Sequence, residues 1–268
     1  MMRRAPAVAG QFYPGQQAAL QQMIAQMMPA VDEPQPALGV MSPHAGYIYS
    51  GMVAGKTFAG VSIPQTVVIL GPNHRGQGHP AAVYAQGSWS TPLGEVAIDE
   101  DLAGRILREA PLTSEDPLAH RFEHSLEVQV PFLQAAVSNL SIVPLCLGRL
   151  SLSQLLELGD ALARVLSDTE PRPLLVASTD MTHYEPGPVA RKQDLQALDR
   201  VLALDPAGLY RVVGEQRISM CGVLPVVVTL RAVKMMGASR AELVDYRNSG
   251  DVTGDQSTVV GYAGVVFS

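Results

Sequence analysis

The chain has 268 residues, 47% of them hydrophobic, which fits one α/β domain with a large core. Its formal net charge is −6, so no basic footprint suggests nucleic acid as a partner. No stretch is apolar for long enough to cross a bilayer, and the N-terminal segment lacks the apolar run of a secretory signal. The two cysteines give no disulfide framework, so we expect a reduced, cytoplasmic protein without nucleic-acid or membrane partners.

The first third of the chain predicts an irregular lead-in followed by alternating elements. Residues 4–14 are punctuated by proline and glycine and cannot be helical throughout, so Phe12 and Tyr13 are expected to anchor an ordered loop. A helix, a strand, a second helix and a second strand are then predicted over 16–28, 38–42, 50–59 and 66–71. The last of these is mostly β-branched and unbroken, as expected for a strand that is covered on both faces.

The rest of the chain continues this alternation. Further strands are predicted over 81–85, 96–98, 141–147, 173–178, 242–246 and 258–267. Further helices are predicted over 99–109, 123–136, 151–166, 189–203, 206–213 and 222–236. Helix 123–136 has an acidic first turn and contains Pro131, which kinks it or delays its start, and Pro144 favours an edge position or a bulge for its strand.

This order of elements predicts the fold class. Strands that alternate with helices form a largely parallel sheet with helices on both faces. The last two strands can pair as a hairpin, which would make the sheet mixed. We therefore expect a single three-layer α/β domain with a mostly parallel, mixed central sheet.

Three of the six histidines, His44, His74 and His183, come a few residues after predicted strand ends. Because ligands bind outside the carboxyl ends of parallel strands, these imidazoles are expected to meet at one edge of the sheet. A single histidine in such a position is more often an ordinary loop residue. Three together, two of them beside proline or glycine, favour a functional cluster.

Cys221 lies where helix 222–236 is predicted to begin. A thiol at a helix N-terminus loses its proton more easily, because the helix dipole favours the thiolate. A thiolate beside imidazoles is a good ligand for zinc, copper or iron. From position alone a buried core cysteine is an equal alternative, and it is the stronger interpretation for Cys146, which lies inside an apolar strand.

Asp180 and His124 have several possible roles. Asp180, three residues before His183, can be a metal ligand, an orienting partner for an imidazole or a simple cap. His124 follows Glu123 in a polar cluster and is a candidate pocket residue. It is not expected to form a metal-binding pair with His120, because nothing predicts that residue 120 is helical.

These residues belong to short motifs that run in order over nearly the whole chain. The motifs are Pro6, Val8, Ala9, Gly10, Phe12, Tyr13 and Pro14; Pro43-His44-Ala45-Gly46-Tyr47; Leu70-Gly71-Pro72-Asn73-His74; Glu123-His124-Ser125-Leu126-Glu127; Ser178, Asp180 and His183; and Cys221-Gly222 with Pro225. Together they resemble the MEMO family (mediator of receptor-driven cell motility), whose bacterial and archaeal members are also called AmmeMemoRadiSam system protein B. The resemblance implies one MEMO-like domain over residues 1–268.

The family is similar in fold to the class III extradiol dioxygenases of the LigB type, which open catechol rings with non-haem iron. The resemblance implies a metal pocket whose ligands are His44, His74 and Cys221. It also implies three residues that line the pocket, namely His183, Asp180 and His124. In the dioxygenases the third ligand is a glutamate, so a cysteine in its place changes a set that suits Fe(II) to one that suits softer metals.

Three functions are compatible with such a pocket. The first is a metal-dependent redox enzyme that holds iron or copper, acts on an unknown small molecule and uses His183 for proton transfer. The second is a non-enzymatic metal-binding or adaptor protein with a catalytically silent pocket. The third is zinc hydrolysis. By its prokaryotic name, the family also implies association with an AMMECR-type protein and a radical SAM protein.

Overall fold

The computed structural model describes residues 2–268. Its helices α1 to α9 span Gln17–Met27, Tyr47–Ala59, Glu100–Glu109, Val130–Ala136, Leu152–Ser167, Gly187–Leu202, Pro206–Glu215, Val223–Met235 and Gly250–Thr253. Its strands β1 to β12 span Arg3–Arg4, Gly39–Ser42, Thr66–Pro72, Ala81–Val83, Ser88–Thr91, Gly94–Ile98, Ser114–Glu115, Ser141–Leu147, Leu174–Ser178, His183–Glu185, Ala241–Asn248 and Val259–Phe267. Within residues 2–268, no helix is both long and apolar enough to cross a bilayer.

The strands form one mixed sheet. Its main path is β1-β5-β6-β8-β3-β9-β2-β12-β10, with β11 paired to β12 and β4 paired to β7 and β8. The central strands β8, β3, β9 and β2 are parallel, whereas β12 runs antiparallel to β2, β10 and β11. The predicted hairpin of the last two strands is present. The structure thus confirms a single α/β domain with a mostly parallel, mixed sheet.

Helices cover the central strands, which explains their composition. The buried run from Val67 to Leu70 in β3 and the run from Leu174 to Ala177 in β9 are fully shielded from solvent. One helix group, α5, α7 and α8, and a second group, α1, α2 and α4, supply the cover. Strands with cover on both faces need apolar residues at every position rather than at alternate ones.

Of the two alternatives that Pro131 left open for the predicted helix over 123–136, a kink or a later start, the structure shows the later start. Helix α4 begins only at Val130, after a short 3₁₀ turn over Glu127–Gln129, and Pro131 lies in its first turn, where proline is tolerated. Residues 123–126 are not helical, because the Glu123 carboxylate accepts hydrogen bonds from nearby backbone N–H groups instead. The acidic residues therefore do not form a first helical turn.

The edge position expected from Pro144 is wrong, because β8 lies inside the sheet. Strand β8 pairs with β3 along its whole length, and on its other side it pairs first with β6 and then with β4. Pro144 lies where this second neighbour changes, and its carbonyl accepts a hydrogen bond from Tyr84 N–H on that side. The N–H that proline lacks would face the same side, beyond the last residue of β4, whereas the pairing of β8 with β3 continues past Pro144 without a bulge.

Candidate metal centre

The candidate residues converge at the carboxyl edge of three neighbouring strands. His44, His74 and Asp180 each lie two residues after the end of β2, β3 and β9, which are adjacent in the sheet. Cys221 does not follow a strand; it lies directly before Gly222, the N-cap of α8. Gly222 N–H donates a hydrogen bond of 2.9 Å to Thr179 Oγ1, which holds the start of α8 against the end of β9.

Two imidazoles and the thiol lie close enough to share one ion. Cys221 Sγ is 3.2 Å from His44 Nε2, and the rings of His44 and His74 are 5.2 Å apart between centroids. One donor atom from each of the three residues lies within 4.8 Å of the other two. Bonds of about 2.0–2.3 Å from nitrogen and sulfur to a metal bring the donor atoms to within about 4 Å of one another, so the 3.2 Å between Cys221 Sγ and His44 Nε2 fits a shared ion. His44 is buried, Cys221 half-buried and His74 exposed, so the cluster is open to solvent on one side.

Glu123 orients His74. Its Oε1 lies 2.9 Å from His74 Nδ1 and also accepts hydrogen bonds from the N–H groups of His124 and Ser125, at 3.0 and 2.9 Å. Burial raises the pKa of Glu123, but the hydrogen bonds with His74 and Ser125 outweigh it and bring the pKa to about 2. A charged carboxylate can only accept, so Nδ1 of His74 carries the proton and Nε2 is free to bind a metal.

Glu123 was not among the residues predicted for the site. His74, Glu123 and His124 also place possible ligand atoms within 4.8 Å of one another. The oxygens of Glu123 already accept four hydrogen bonds, because Oε2 takes the backbone N–H of His74 at 2.7 Å. The carboxylate thus acts as an orienting partner here. The sequence pointed to Glu123 only through its place beside His124 in the motif Glu123-His124-Ser125-Leu126-Glu127.

His124 lies against both candidate histidine ligands. Its ring centroid is 4.8 Å from that of His74, with the planes nearly parallel, and 5.5 Å from that of His44. The Phe12 ring covers it at 4.8 Å, so the N-terminal lead-in forms one wall of the site. Burial, followed by the effect of His74, lowers the pKa of His124 to about 4, against the opposing effect of Glu123, so the imidazole is neutral near pH 7.

His183 and Asp180 complete the group of predicted residues. His183 Nδ1 lies 2.9 Å from the Ser219 carbonyl, which can only accept, so this imidazole also leaves Nε2 without a proton. Asp180 Oδ1 accepts the backbone N–H of His44 at 2.8 Å, and Oδ2 is 4.0 Å from His44 Nε2. Burial raises the pKa of Asp180 to about 6.

The charge balance of the cluster fits a cation. Burial, and then the Asp180 carboxylate, raise the pKa of the Cys221 thiol, so the low thiol pKa expected from the helix dipole is wrong for the chain alone. Burial also lowers the pKa of His44 well below its usual range. The cluster thus offers neutral donor groups, the His44 and His124 imidazoles and the Cys221 thiol, for which burial is the main cause of the pKa shifts, beside the charged Glu123 carboxylate. A bound metal ion would favour the thiolate.

The remaining cysteine and His120 lie elsewhere. Cys146 is fully buried within β8, as expected for a core residue. His120 is also fully buried, at the end of a short 3₁₀ turn over Pro117–His120, with Nε2 3.1 Å from the Ala82 carbonyl. Two cavities of about 970 and 620 Å³ are lined by residues other than the six candidates.

Sequence comparison places the chain in a family. The family model described as Memo-like protein matches residues 4–266. The chain belongs to the Memo family. Its Memo-family relatives include MEMO1 family proteins of Methanopyrus kandleri, 44% identical over 99% of both chains, and of Aquifex aeolicus, 41% identical over 100% of both. A MEMO1 family protein of Methanothermobacter thermautotrophicus is 42% identical over 98% of this chain and 99% of its own.

A solved structure supports the fold of this Memo-family chain. The uncharacterized protein JW3007 from Escherichia coli K12 superposes with a TM-score of 0.57 and covers 80% of this chain and 90% of its own. The two are 17% identical in sequence, so the likeness concerns the fold alone.

Proposed function

We propose that this Memo-family chain binds a transition metal through His44, His74 and Cys221 and acts as a redox enzyme on a small molecule. The observation that carries the proposal is the convergence of two imidazoles and a thiol, with Cys221 Sγ 3.2 Å from His44 Nε2. The exposed His74 and the half-buried Cys221 leave a path for a small molecule. The similarity to LigB-type dioxygenases that the sequence motifs imply is the reason for proposing a redox reaction.

The donor set bears on the identity of the metal. Two imidazoles and a thiolate suit copper or iron, and the softer sulfur favours copper more than a carboxylate would. When bound, either metal can exchange single electrons and polarise an oxygen-containing ligand. Zinc fits the same donors, and its presence would point to hydrolysis instead.

The chain's own residues around the cluster can manage protons. His183 has its Nδ1 proton fixed on the Ser219 carbonyl, so its Nε2 can accept a proton from a bound molecule. Asp180 accepts the backbone N–H of His44 and so holds it in place, and burial raises the pKa of its carboxyl to about 6. His124, neutral and packed between Phe12 and His74, contributes one wall and a second imidazole.

Replacement of each cysteine in turn tests the metal site. We expect Cys221→Ala to weaken Cu(I) and Fe(II) binding at least about 100-fold, because a ligand is lost. Cys146→Ala removes the other thiol, in the core, and should leave affinity unchanged. Anaerobic titration against a competing chelator gives both values. Equal affinities in the two variants would contradict the assignment of Cys221 as a ligand.

Oxygen consumption separates enzyme from binding protein. Metal-loaded wild type is tested for oxygen uptake with catechols and other small phenols, and a His183→Ala variant serves as the comparison. Tight metal binding without turnover would favour the non-enzymatic metal-binding or adaptor alternative. Association with AMMECR-type and radical SAM proteins also stays a prediction, since only the family name supports it.

A further inference from the structure

A buried chain of polar groups lies on the side of His44 opposite to Cys221. Ser178, the last residue of β9, has its Oγ 2.9 Å from His44 Nδ1. The side-chain nitrogen of Gln129 is 2.8 Å from the same Oγ. At most 2% of any of these three residues is exposed, so each polar atom must find its partner inside the protein.

The direction of these hydrogen bonds follows from two carbonyl groups, which can only accept. Ser178 Oγ lies 2.6 Å from the carbonyl oxygen of Ser125, so its single hydrogen is donated there. The Gln129 side-chain nitrogen lies 2.9 Å from the Pro43 carbonyl, so the NH₂ group and not the oxygen faces this region. It therefore donates to Ser178 as well. Ser178 Oγ is left with one lone pair that faces His44 Nδ1. It can form a hydrogen bond there only if Nδ1 carries the proton.

We propose that Ser178 and Gln129 are positioning residues that fix the proton of His44 on Nδ1 and aim its Nε2 lone pair at the metal. The inference rests on the proposed metal-binding function and adds to it the groups that select the tautomer. It also accounts for Gln129, which supplies no atom to the cluster itself. The same Nε2 faces Cys221 Sγ at 3.2 Å, so the tautomer decides whether a lone pair or a proton faces the thiol.

The need for Gln129 follows from the nature of a hydroxyl group. A carboxylate, as at His74, or a carbonyl, as at His183, can only accept and thus selects the tautomer without help. A hydroxyl that is free to rotate could donate to Nδ1 instead and select the opposite tautomer. The Ser125 carbonyl takes the hydroxyl hydrogen and the Gln129 amide takes one lone pair, which removes that freedom.

Long-range ¹H–¹⁵N spectra of metal-free protein with labelled histidine test the inference directly. In wild type, His44 should carry its proton on Nδ1. In Ser178→Ala a buried Nδ1–H would have no acceptor, so we expect the proton to move to Nε2. Cu(I) and Fe(II) affinity should fall about 10- to 100-fold, the usual effect of losing an orienting partner of a metal ligand. Ser178→Thr, which keeps the hydroxyl, should retain the wild-type tautomer.

Ser42→Ala is a closely matched control. Ser42 is the register partner of Ser178 on β2 and is equally buried, but its hydroxyl has no hydrogen-bond partner among the described residues. It should leave both the tautomer and the metal affinity unchanged. If Ser178→Ala does not fold, Gln129→Met provides the test. It removes one of the two groups that fix the hydroxyl and leaves the Ser125 carbonyl, so it should give a larger fraction of the Nε2–H tautomer than wild type.

The possible outcomes separate this inference from the proposed function. A wild-type His44 with its proton on Nε2 overturns the inference, and so does the same tautomer in Ser178→Ala and Ser42→Ala. If the tautomers behave as expected but wild type binds neither Cu(I) nor Fe(II), the proposed function fails, and the metal-directing role of Ser178 fails with it. A loss of affinity in Ser178→Ala without a tautomer change assigns Ser178 a purely structural role and also overturns the inference.

Discussion

At the scale of single residues, burial keeps several histidines of this chain neutral. His120 is the clearest case, because it lies outside the metal cluster and its Nδ1 has no hydrogen-bond partner among the described residues. Burial lowers its pKa to about 3. The same cause acts on His44 and His124. Acid should therefore destabilise the fold through its interior histidines.

We predict that His120→Gln reduces the acid sensitivity of the fold. Between pH 6.5 and about 3 the unfolded chain binds a proton at residue 120 that the folded chain does not. The free energy of unfolding thus falls with falling pH, by about 1.4 kcal/mol per pH unit from this group. Glutamine can still donate to the Ala82 carbonyl but cannot take up the proton. Urea unfolding between about pH 4.5 and 6.5 should give a shallower slope for the variant; parallel slopes would contradict the prediction.

The convergence of His44, His74 and Cys221 could be predicted from the sequence, but the partners that orient the two imidazoles could not. His44 and His74 follow strand ends, and that rule depends only on local sequence and a parallel sheet. The groups that orient them are distant along the chain: Ser178 is 134 positions from His44, and Glu123 is 49 positions from His74. No local spacing encodes such a contact. The raised pKa of the Cys221 thiol was missed for a related reason, since burial depends on the assembled fold.

At the scale of elements, one buried carboxylate attaches the N-terminal lead-in to the rest of the domain. Glu127, 1% exposed, accepts four hydrogen bonds, from Arg4 Nη1, the N–H groups of Ala7 and Val8, and Tyr13 OH. Arg4 in turn donates to the carbonyl groups of His120 and Glu123. The lead-in is therefore fastened to the segment that orients His74.

We predict that Arg4→Met destabilises the fold by about 3–5 kcal/mol, because it leaves the Glu127 charge buried without its cation. Arg3 provides the matched comparison in the adjacent position. Its ion pair with Glu95 leaves 63% and 52% of the two side chains exposed, so Arg3→Met should cost about 1 kcal/mol or less. Chemical denaturation of both variants measures the difference. A similar loss of unfolding free energy in both variants would show that the buried ion pair stabilises the fold no more than the exposed one.

Two predictions about single elements, the start of α4 and the position of the strand that contains Pro144, depended on contacts that the sequence does not show. The alternation of strands and helices predicted the sheet, because burial on both faces leaves a continuous apolar run. The predicted start at residue 123 is seven residues early, because Glu123 accepts the N–H groups of His124 and Ser125 and, across the fold, that of His74. Only Pro131 indicated the later start. Pro144 was given an edge position, because a sequence cannot show that β4 and β6 share one side of β8.

At the scale of the whole molecule, the three proposed ligands come from separate segments that only the folded chain brings together. An ion bound there stabilises the folded state and not the unfolded one. We predict a gain of about 2.7 kcal/mol when free metal is at 100 times its dissociation constant. Thermal unfolding with and without a chelator should show the gain in wild type and lose it in Cys221→Ala. An equal shift in both would mean that the metal acts at other groups.

The order of the ligands along the chain has a consequence for biosynthesis. His44 precedes Cys221 by 177 positions, and β12, which lies between β2 and β10 in the sheet, follows later still. A translating ribosome therefore releases both imidazoles well before the thiol, and the thiol before the strand that completes the pairing of β2. The nascent polypeptide cannot assemble the proposed three-donor set, so a metal ion would enter this site only after most of the chain has been translated.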